Sequence, residues 1–397
     1  MNPNKKKIES GDVNTILSHQ IQSAGSQSCE DMKDTLVLDK ESVSQLVRRV
    51  GLDSLLDKII HRMEQTIVEL RHRNCDIPLR SGVHYETPDW GLLETMPAHF
   101  EGECTTVKLV GYHPSNPLKR SLPTILSTIC SFDGETGHLR GIVDGTFLTA
   151  IRTGAASALV SRVLGCEYSK NLGLIGCGAQ AVAQAHALSR VFDLNKIIGY
   201  DCDEKAAGSL AKRLAFLGIE VEVVGAEGVK GLLESSDLLV TATSSEVGAG
   251  PLFEDFDNRE HLHVNAVGAD FIGKFELPKS LLQRALVCPD FPEQCFLEGE
   301  SQQLEPVEVG ADFEEIIQNA ENYKTYRDQL TVFDSTGWAL EDYVVSELFF
   351  DLAIELNIGQ RIEIESIPSD PLNPYSFLEP EPREDVLDLN VTGIQYA

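Results

Sequence analysis

Residues 171–181 read NLGLIGCGAQA, and the fold is decided there. NLGLI is a short apolar run of strand type. It ends in Gly176-Cys177-Gly178-Ala179-Gln180-Ala181, and a helical pattern follows with Ala181, Ala185, Leu188 and Phe192 on one face. The spacing is GxGxxA. Gly176 permits the tight turn, Gly178 lets the backbone approach a pyrophosphate, and small Ala181 lets the helix pack on the strand. The helix N-terminus adds free N–H groups and a partial positive charge. Asp201 closes the next apolar run, KIIGYD, 25 residues after Gly176. An acid there accepts hydrogen bonds from a ribose diol and repels a 2′-phosphate. The pattern predicts NAD rather than NADP, held at Gly176, Gly178, Ala179, Gln180 and Asp201. Asp203 reads better as the N-cap of the following helix than as a ribose ligand.

Downstream of this motif, strand-like runs alternate with helical ones: EVEVV, DLLVTAT, HLHVNAVG, ALVCPDF and LTVFDS. Apolar strands alternating with helices predict a Rossmann-type doubly wound parallel sheet over residues 151–335. Upstream the character differs. TTVKLVGY, LPTILSTICSF and LRGIVDG are β-like runs separated by the turn signals HPSNP and DGETG. Before them, Leu52, Leu55, Leu56, Ile59, Met63, Ile67 and Leu70 recur at helical spacing, with a break and restart at Gly51 and Asp53. Residues 36–150 are thus the first part of a β-rich α+β domain. Residues 336–365, with Leu340, Val344, Leu348 and Leu352 on one helical face, are its closing part. A polar leader (1–35) and an acidic, Pro-rich tail (366–397) flank this core.

Composition narrows the function. Lys plus Arg number 33 against 62 Asp plus Glu, a net charge of −29. Nucleic acid and anionic membrane surfaces would be repelled. No apolar stretch approaches a membrane span, and the basic first residues lack the apolar region of a secretory signal, so a cytoplasmic protein is expected. None of the nine cysteines forms a CxxC pair, and His261 and His263 lie in an alternating strand-like run, so neither a disulfide framework nor a metal site is expected.

Three charged residues stand in apolar surroundings. Lys108 sits mid-strand in VKLV. Arg152 lies in LTAIRTGAAS, an Ala-rich helix start where a charge needs a partner. Asp270 follows a strand in NAVGAD, and strand ends in such sheets face the ligand crevice. Each also has a plain structural reading: an exposed strand lysine, a structural ion pair, a helix cap.

Eight segments, in order over residues 80–351, resemble the ornithine cyclodeaminase/mu-crystallin family of NAD(P)-dependent enzymes. They are Met96-Pro97-Ala98, TTVKLVGYHPSNP, LPTILST, FLTAIRTGAAS, LIGCGAQA, VTATSS, NAVGADFIGKFEL and VFDSTGWALED. The resemblance implies a Rossmann domain inserted into a substrate and dimerisation domain, and a homodimer. It makes Lys108, Arg152 and Arg80 a clamp on a substrate carboxylate, with Thr124 hydrogen-bonding near substrate or nicotinamide. It makes Asp270 a proton shuttle and places Glu94 near a side-chain amine, so Asp270, Lys108 and Glu94 carry the catalytic role. Thr241, Thr243 and Asn265 would line the nicotinamide pocket, and Asp334 and Gly337 would form a turn closing the site. The stretch between Arg80 and Met96 is longer than in typical cyclodeaminases.

The activity so implied is cyclodeamination of an amino acid, with L-ornithine giving L-proline and ammonia as the leading case. Other relatives are amino-acid dehydrogenases, ketimine or pyrroline-2-carboxylate reductases, enzymes that oxidatively split amino-acid conjugates, and a hormone-binding crystallin. The clamp alone does not choose among them.

Overall fold

The computed structural model describes residues 34–378, so nearly all of the expected leader and the last part of the expected tail lie outside the described residues. The chain divides into two compact units. The described residues from Arg361 onward belong to one and include a short 3-10 turn at Ser376–Leu378. Leu36–Gln360 form the other, and it holds everything functional below.

The larger unit contains two sheets. The first is built from β1 (Thr35–Leu38), β2 (Cys75–Asp76), β3 (Ser81–Tyr85), β4 (Gly91–Phe100), β5 (Cys104–Tyr112), β6 (Ile125–Asp133) and β7 (Leu139–Asp144). Its order is β1-β7-β6-β5-β4-β2, with β3 also on β4. Every pairing from β7 to β2 is antiparallel, whereas β1 joins β7 in parallel. Alternation along β4 and β5 is strict. Register sets Leu92 opposite Tyr112, Glu94 opposite Val110 and Met96 opposite Lys108, so these six share one face.

The second sheet comprises β8 (Asn171–Ile175), β9 (Lys196–Tyr200), β10 (Glu220–Val223), β11 (Leu238–Thr241), β12 (His263–Ala266), β13 (Leu286–Pro289) and β14 (Thr331–Asp334). All its pairings are parallel, in the order β10-β9-β8-β11-β12-β14-β13. These are the seven strands expected from sequence. The order reverses between β8 and β11, which places the ligand crevice above Gly176.

Three long helices join the two sheets. Leu52–Glu69, Gly145–Leu164 and Ala339–Leu356 share one core, with Leu55, Ile59, Met63, Leu159, Val344 and Phe349 fully enclosed. Asp144 caps Gly145–Leu164, accepting from the Thr146 amide at 3.0 Å. This helix runs through residue 150, where the first domain part was expected to end. It is also long and apolar enough to cross a membrane by length and composition, contrary to the expectation that no stretch is. Most of it is buried inside the protein, which marks it as a core helix. Gly154 lets it pack closely, since a Cβ there would lie 2.7 Å from the Ala183 carbonyl.

Helix Ala339–Leu356 covers one end of the first sheet's inner face, where Tyr343 stacks on Phe100 at 3.9 Å. At the other end, around Leu92, Glu94 and Met96, the face opens into a cavity.

Candidate active site

The cavity has a volume of about 720 Å³. One wall is the β4–β5 face: Leu92, Glu94, Met96, Lys108, Val110 and Tyr112. The opposite wall comes from the crest of the second sheet: Gln180, Ser244, Ser245, Val267, Asp270, Phe271 and Lys274. Helix Gly145–Leu164 adds Thr149, Arg152 and Thr153, and the 335–337 turn adds its backbone. Arg80 and Trp90, from the segments flanking β3, also line the cavity.

All three expected clamp cations therefore reach one space, together with Glu94, Asp270 and Gln180. None is bare. Lys108 Nζ lies 2.7 Å from Asp342 Oδ2 and is almost fully buried. Burial, then the neighbouring Arg152 charge, pulls its pKa down to about 8, against the pull of Asp342. Arg152 donates from Nε to Asp342 Oδ1 at 3.1 Å and from Nη1 to Glu341. Burial works against its charge, but Asp342 and Glu341 outweigh it and its pKa is raised. Glu341 is pushed up to about 8 by burial, despite Arg152. The sequence singled out the two cations and missed both acids, which stand in the quoted segment TGWALED. Their signal is an acidic pair in the first turn of a mostly apolar helix.

Arg80 is a hub. Its Nη2 donates to the Asp270 carbonyl at 2.7 Å and its Nη1 to the Thr336 carbonyl at 3.1 Å. Glu298 pairs with it, and Glu94 Oε2 lies 3.7 Å from its Nε. Asp270 pairs through its carboxylate with Lys274 Nζ at 2.8 Å. Lys274, also missed from sequence, lies 5.6 Å from the Tyr112 ring centroid. Its pKa is raised, because Asp270 and Tyr112 overcome the burial penalty.

The 335–337 turn is fixed by buried Asp290, which accepts from Ser335 Oγ, Thr336 Oγ1 and the Gly337 amide at 2.7–3.1 Å. Gly337 has φ +92°, and a Cβ on it would sit 2.8 Å from Arg152 Nη2. No other residue suits both demands. Asp334 lies just below, accepting from the Glu300 and Ser301 amides at 2.8 Å, and burial raises its pKa to about 7.

The glycine turn fits a dinucleotide. Gly176 has φ +95°, and a Cβ there would lie 2.5 Å from the Ala242 carbonyl. A Cβ on Gly178 would meet nothing within 4 Å, so its face is open at the N-terminus of helix Ala179–Val191. Asp201 Oδ2 accepts from the Cys177 amide at 2.7 Å and Oδ1 from the Asp203 amide at 2.8 Å. Arg213, unanticipated, clips the turn from outside through the Cys177 and Gly178 carbonyls. Asp203 caps the next helix, as expected, by accepting from the Lys205 amide.

Four expected site residues are placed elsewhere. Thr124 is not among the cavity-lining residues, and its carbonyl accepts from the His113 amide. Thr243 gives both its amide and its hydroxyl to the buried carboxylate of Glu276. Thr241 is fully buried at the end of β11, and Asn265 is buried on β12 against Ser161 Oγ at 3.1 Å. Thr241 and Asn265 belong to the interior below the crest, and half-buried Thr243 is turned toward Glu276, which also receives the Gly268 amide. Ser244, Ser245 and Val267 hold the lining positions instead.

This chain is 39% identical to L-lysine cyclodeaminase of Streptomyces rapamycinicus over 86% of its own length and 99% of that protein. A solved lysine cyclodeaminase, described for its recognition of L-lysine, L-ornithine and L-2,4-diaminobutyric acid, superposes with TM-score 0.84 at 44% identity, covering 87% of this chain and 99% of that one. An archaeal alanine dehydrogenase dimer with bound NAD superposes with TM-score 0.74 at 31% identity, covering 84% and 100%. The model of the ornithine cyclodeaminase/mu-crystallin family matches residues 40–356, and the chain belongs to that family.

Proposed function

We propose that the protein is an NAD-dependent cyclodeaminase of L-α,ω-diamino acids, converting L-lysine to L-pipecolate, or L-ornithine to L-proline, with release of ammonia. The observation that carries this reading is the order of charges along the β4–β5 face. Lys108 stands in the Met96 row. Glu94 stands in the next inward-facing row, about 7 Å along the strands. That is the reach of a lysine or ornithine side chain from its Cα. One end suits a carboxylate and the other an ω-ammonium. The similarity to lysine cyclodeaminase adds lysine to the ornithine expected from sequence.

Lys108 and Arg152 hold the substrate carboxylate, with Arg80 beside them. Asp270 takes a proton from the α-amino group as it becomes an imine. NAD, bound at the glycine turn with Asp201 at its ribose, supplies two-electron chemistry at Cα, first as oxidant and then as reductant. Glu94 takes a proton from the ω-ammonium, the freed amine attacks the imine carbon, and Asp270 returns its proton to the departing nitrogen. Ammonia leaves, a cyclic imine remains, and its reduction gives the cyclic amino acid with no net redox change. The lining positions the reactants and supplies the charges.

A homodimer is part of this proposal. Val83, Leu93, Leu109 and Leu126 lie exposed together on the outer face of the first sheet, an apolar surface suited to a second copy. Sedimentation velocity reads this directly.

The functional test is incubation with NAD and, in parallel, L-lysine, L-ornithine, L-2,4-diaminobutyrate and L-alanine. NADH absorbance, ammonia and cyclic product are followed together. Ammonia and pipecolate or proline in equal amounts, without accumulating NADH, is expected. Ammonia matched by lasting NADH and an open-chain oxo acid would sink the reading in favour of a dehydrogenase.

A further inference from the structure

One short stretch, residues 80–90, reaches across the cavity to two consecutive residues of the opposite wall, Asp270 and Phe271. Arg80 donates to the Asp270 carbonyl at 2.7 Å. The His84 ring lies 5.1 Å from the Phe271 ring. The Trp90 indole meets Phe271 edge-on at 5.7 Å and, from another side, Tyr112 at 5.7 Å.

The reaching stretch is itself well fastened. β3 pairs with β4 along its length. Tyr85 Oη bonds His113 Nε2 at 2.6 Å, and Asp89 pairs with both Lys119 and Arg120. The segment it grips is fastened at its two ends, where the Gly268 amide donates to Glu276 and the Gly273 amide to Gln302 Oε1 at 2.7 Å, and is more open between them. The Asp270 side chain is 30% exposed with Lys274 as its ion-pair partner, and the neighbouring Ile272 is 62% exposed. Gly273 follows with φ +78°. Edge-on aromatic pairs are directional, so fixing the Phe271 ring restricts the backbone that aims the Asp270 carboxylate.

We propose that the stretch carrying β3 and Trp90 is a clasp that sets the position of the Asp270 carboxylate, with Trp90 as the positioning residue acting through Phe271. The inference rests on the proposed role of Asp270 as proton acceptor. Displacing a reacting group by about 1 Å costs on the order of a hundredfold in rate. Arg80 and His84 of the same stretch lie 3.7 and 3.9 Å from Glu94, so the substitution that separates positioning from substrate binding is at Trp90, whose ring contacts are with Phe271 and Tyr112.

The test compares Trp90→Ala and Trp90→Phe in the full chain by two readouts. Hydrogen exchange followed by mass spectrometry reports residues 268–274 without any assumption about activity. Steady-state kinetics on the accepted diamino acid report kcat and KM. In Trp90→Ala, exchange over 268–274 rises about tenfold or more, while the β5 and β6 peptides keep their protection. There kcat falls by about a hundredfold with KM within about threefold, and Trp90→Phe recovers most of both. Unchanged exchange over 268–274 would overturn the clasp. So would a raised KM with kcat retained, because that describes a substrate contact. Should Trp90→Ala not fold, Phe271→Leu carries the same comparison. If the wild type turned over no diamino acid, the functional proposal would fail, and exchange would still decide whether the clasp exists.

Discussion

Removing the charge of Asp342 should move the pH at which the carboxylate clamp fails. Asp342→Asn keeps the shape of the side chain that links Lys108 and Arg152. In the native site Lys108 titrates at about 8, held up by a carboxylate 2.7 Å away against burial and Arg152. At an effective dielectric near 20, a charge pair at that distance is worth about 6 kcal/mol. That is a ceiling, because asparagine still accepts a hydrogen bond and Glu341 remains nearby. A fall of about one to two pKa units is the working figure. The charged fraction of Lys108 at pH 7.5 then drops about three- to twenty-five-fold. The sign follows from Lys108 being cationic below its pKa. Wild-type affinity for a carboxylate ligand should be level at lower pH and weaken as pH rises through about 8. In the variant the weakening begins at least about one unit lower, and the two proteins converge at acid pH. L-Pipecolate with NADH present is a suitable ligand, since its ring amine stays protonated across the range. Calorimetric titration from pH 5.5 to 9, a window of roughly the width these shifts require, gives the curve. A variant weakened equally at every pH, or a break that does not move, would refute the assignment of Lys108 as a charged ligand.

The glycine turn supplies a paired prediction. Gly178→Ala should leave the melting temperature of the cofactor-free protein nearly unchanged, because a Cβ there meets nothing within 4 Å, yet weaken NADH binding at least about tenfold. Gly176→Ala should instead cost about 2–4 kcal/mol of stability, from its φ of +95° and the Ala242 carbonyl. Normal NADH binding by Gly178→Ala would remove the pyrophosphate from that face. His263 supplies a stability prediction. It is fully buried with its Nδ1 2.7 Å from Thr331 Oγ1, and burial pulls its pKa to about 3. The native protein therefore holds it neutral, and its contribution is present above about pH 6.5 and lost as pH falls toward 3. In urea unfolding, the advantage of wild type over His263→Gln should shrink by about 1.4 kcal/mol per pH unit between roughly 6 and 4. A constant difference would mean that His263 protonates freely in the native state.

The second sheet was legible because its signals are local. Each strand is a short apolar run, the glycine turn demands particular backbone, and Asp201 and Asp203 stand where chain geometry needs acids. Residues at the strand ends were harder. Thr241, Thr243 and Asn265 sit one or two positions from the crest, and spacing alone does not tell a residue facing the crevice from one facing the interior. Glu276 decided the matter for Thr243, since a buried carboxylate claims the nearest donors, and nothing in KFELP announces that this glutamate is enclosed. The clamp was half legible for a related reason. A cation in an apolar strand or helix stands out, but its partner comes from helix Ala339–Leu356, nearly two hundred residues beyond Arg152 in sequence.

That partnership changes what the clamp is. Bare cations in a closed cavity would be costly, since removing even one from water carries a penalty of several kcal/mol. Here Lys108 and Arg152 share Asp342, Arg152 also holds Glu341, and Arg80 is flanked by Glu298 and Glu94. The site is a network of alternating charge before any substrate arrives. A diamino acid entering it brings a carboxylate at one end and an ammonium at the other, and extends the alternation. A simple monocarboxylate anion would add an unmatched negative charge next to Asp342. Under the proposed function, selectivity for zwitterionic and dipolar amino acids would follow from the acids that support the clamp as much as from the cations that form it. Exchanging Glu94 for glutamine, which removes the far carboxylate and leaves Lys108, Arg152 and their shared Asp342 in place, should accordingly penalise lysine and ornithine far more than alanine. Equal losses for all three in a competition assay would show that the charge order along the β4–β5 face plays no part in selection.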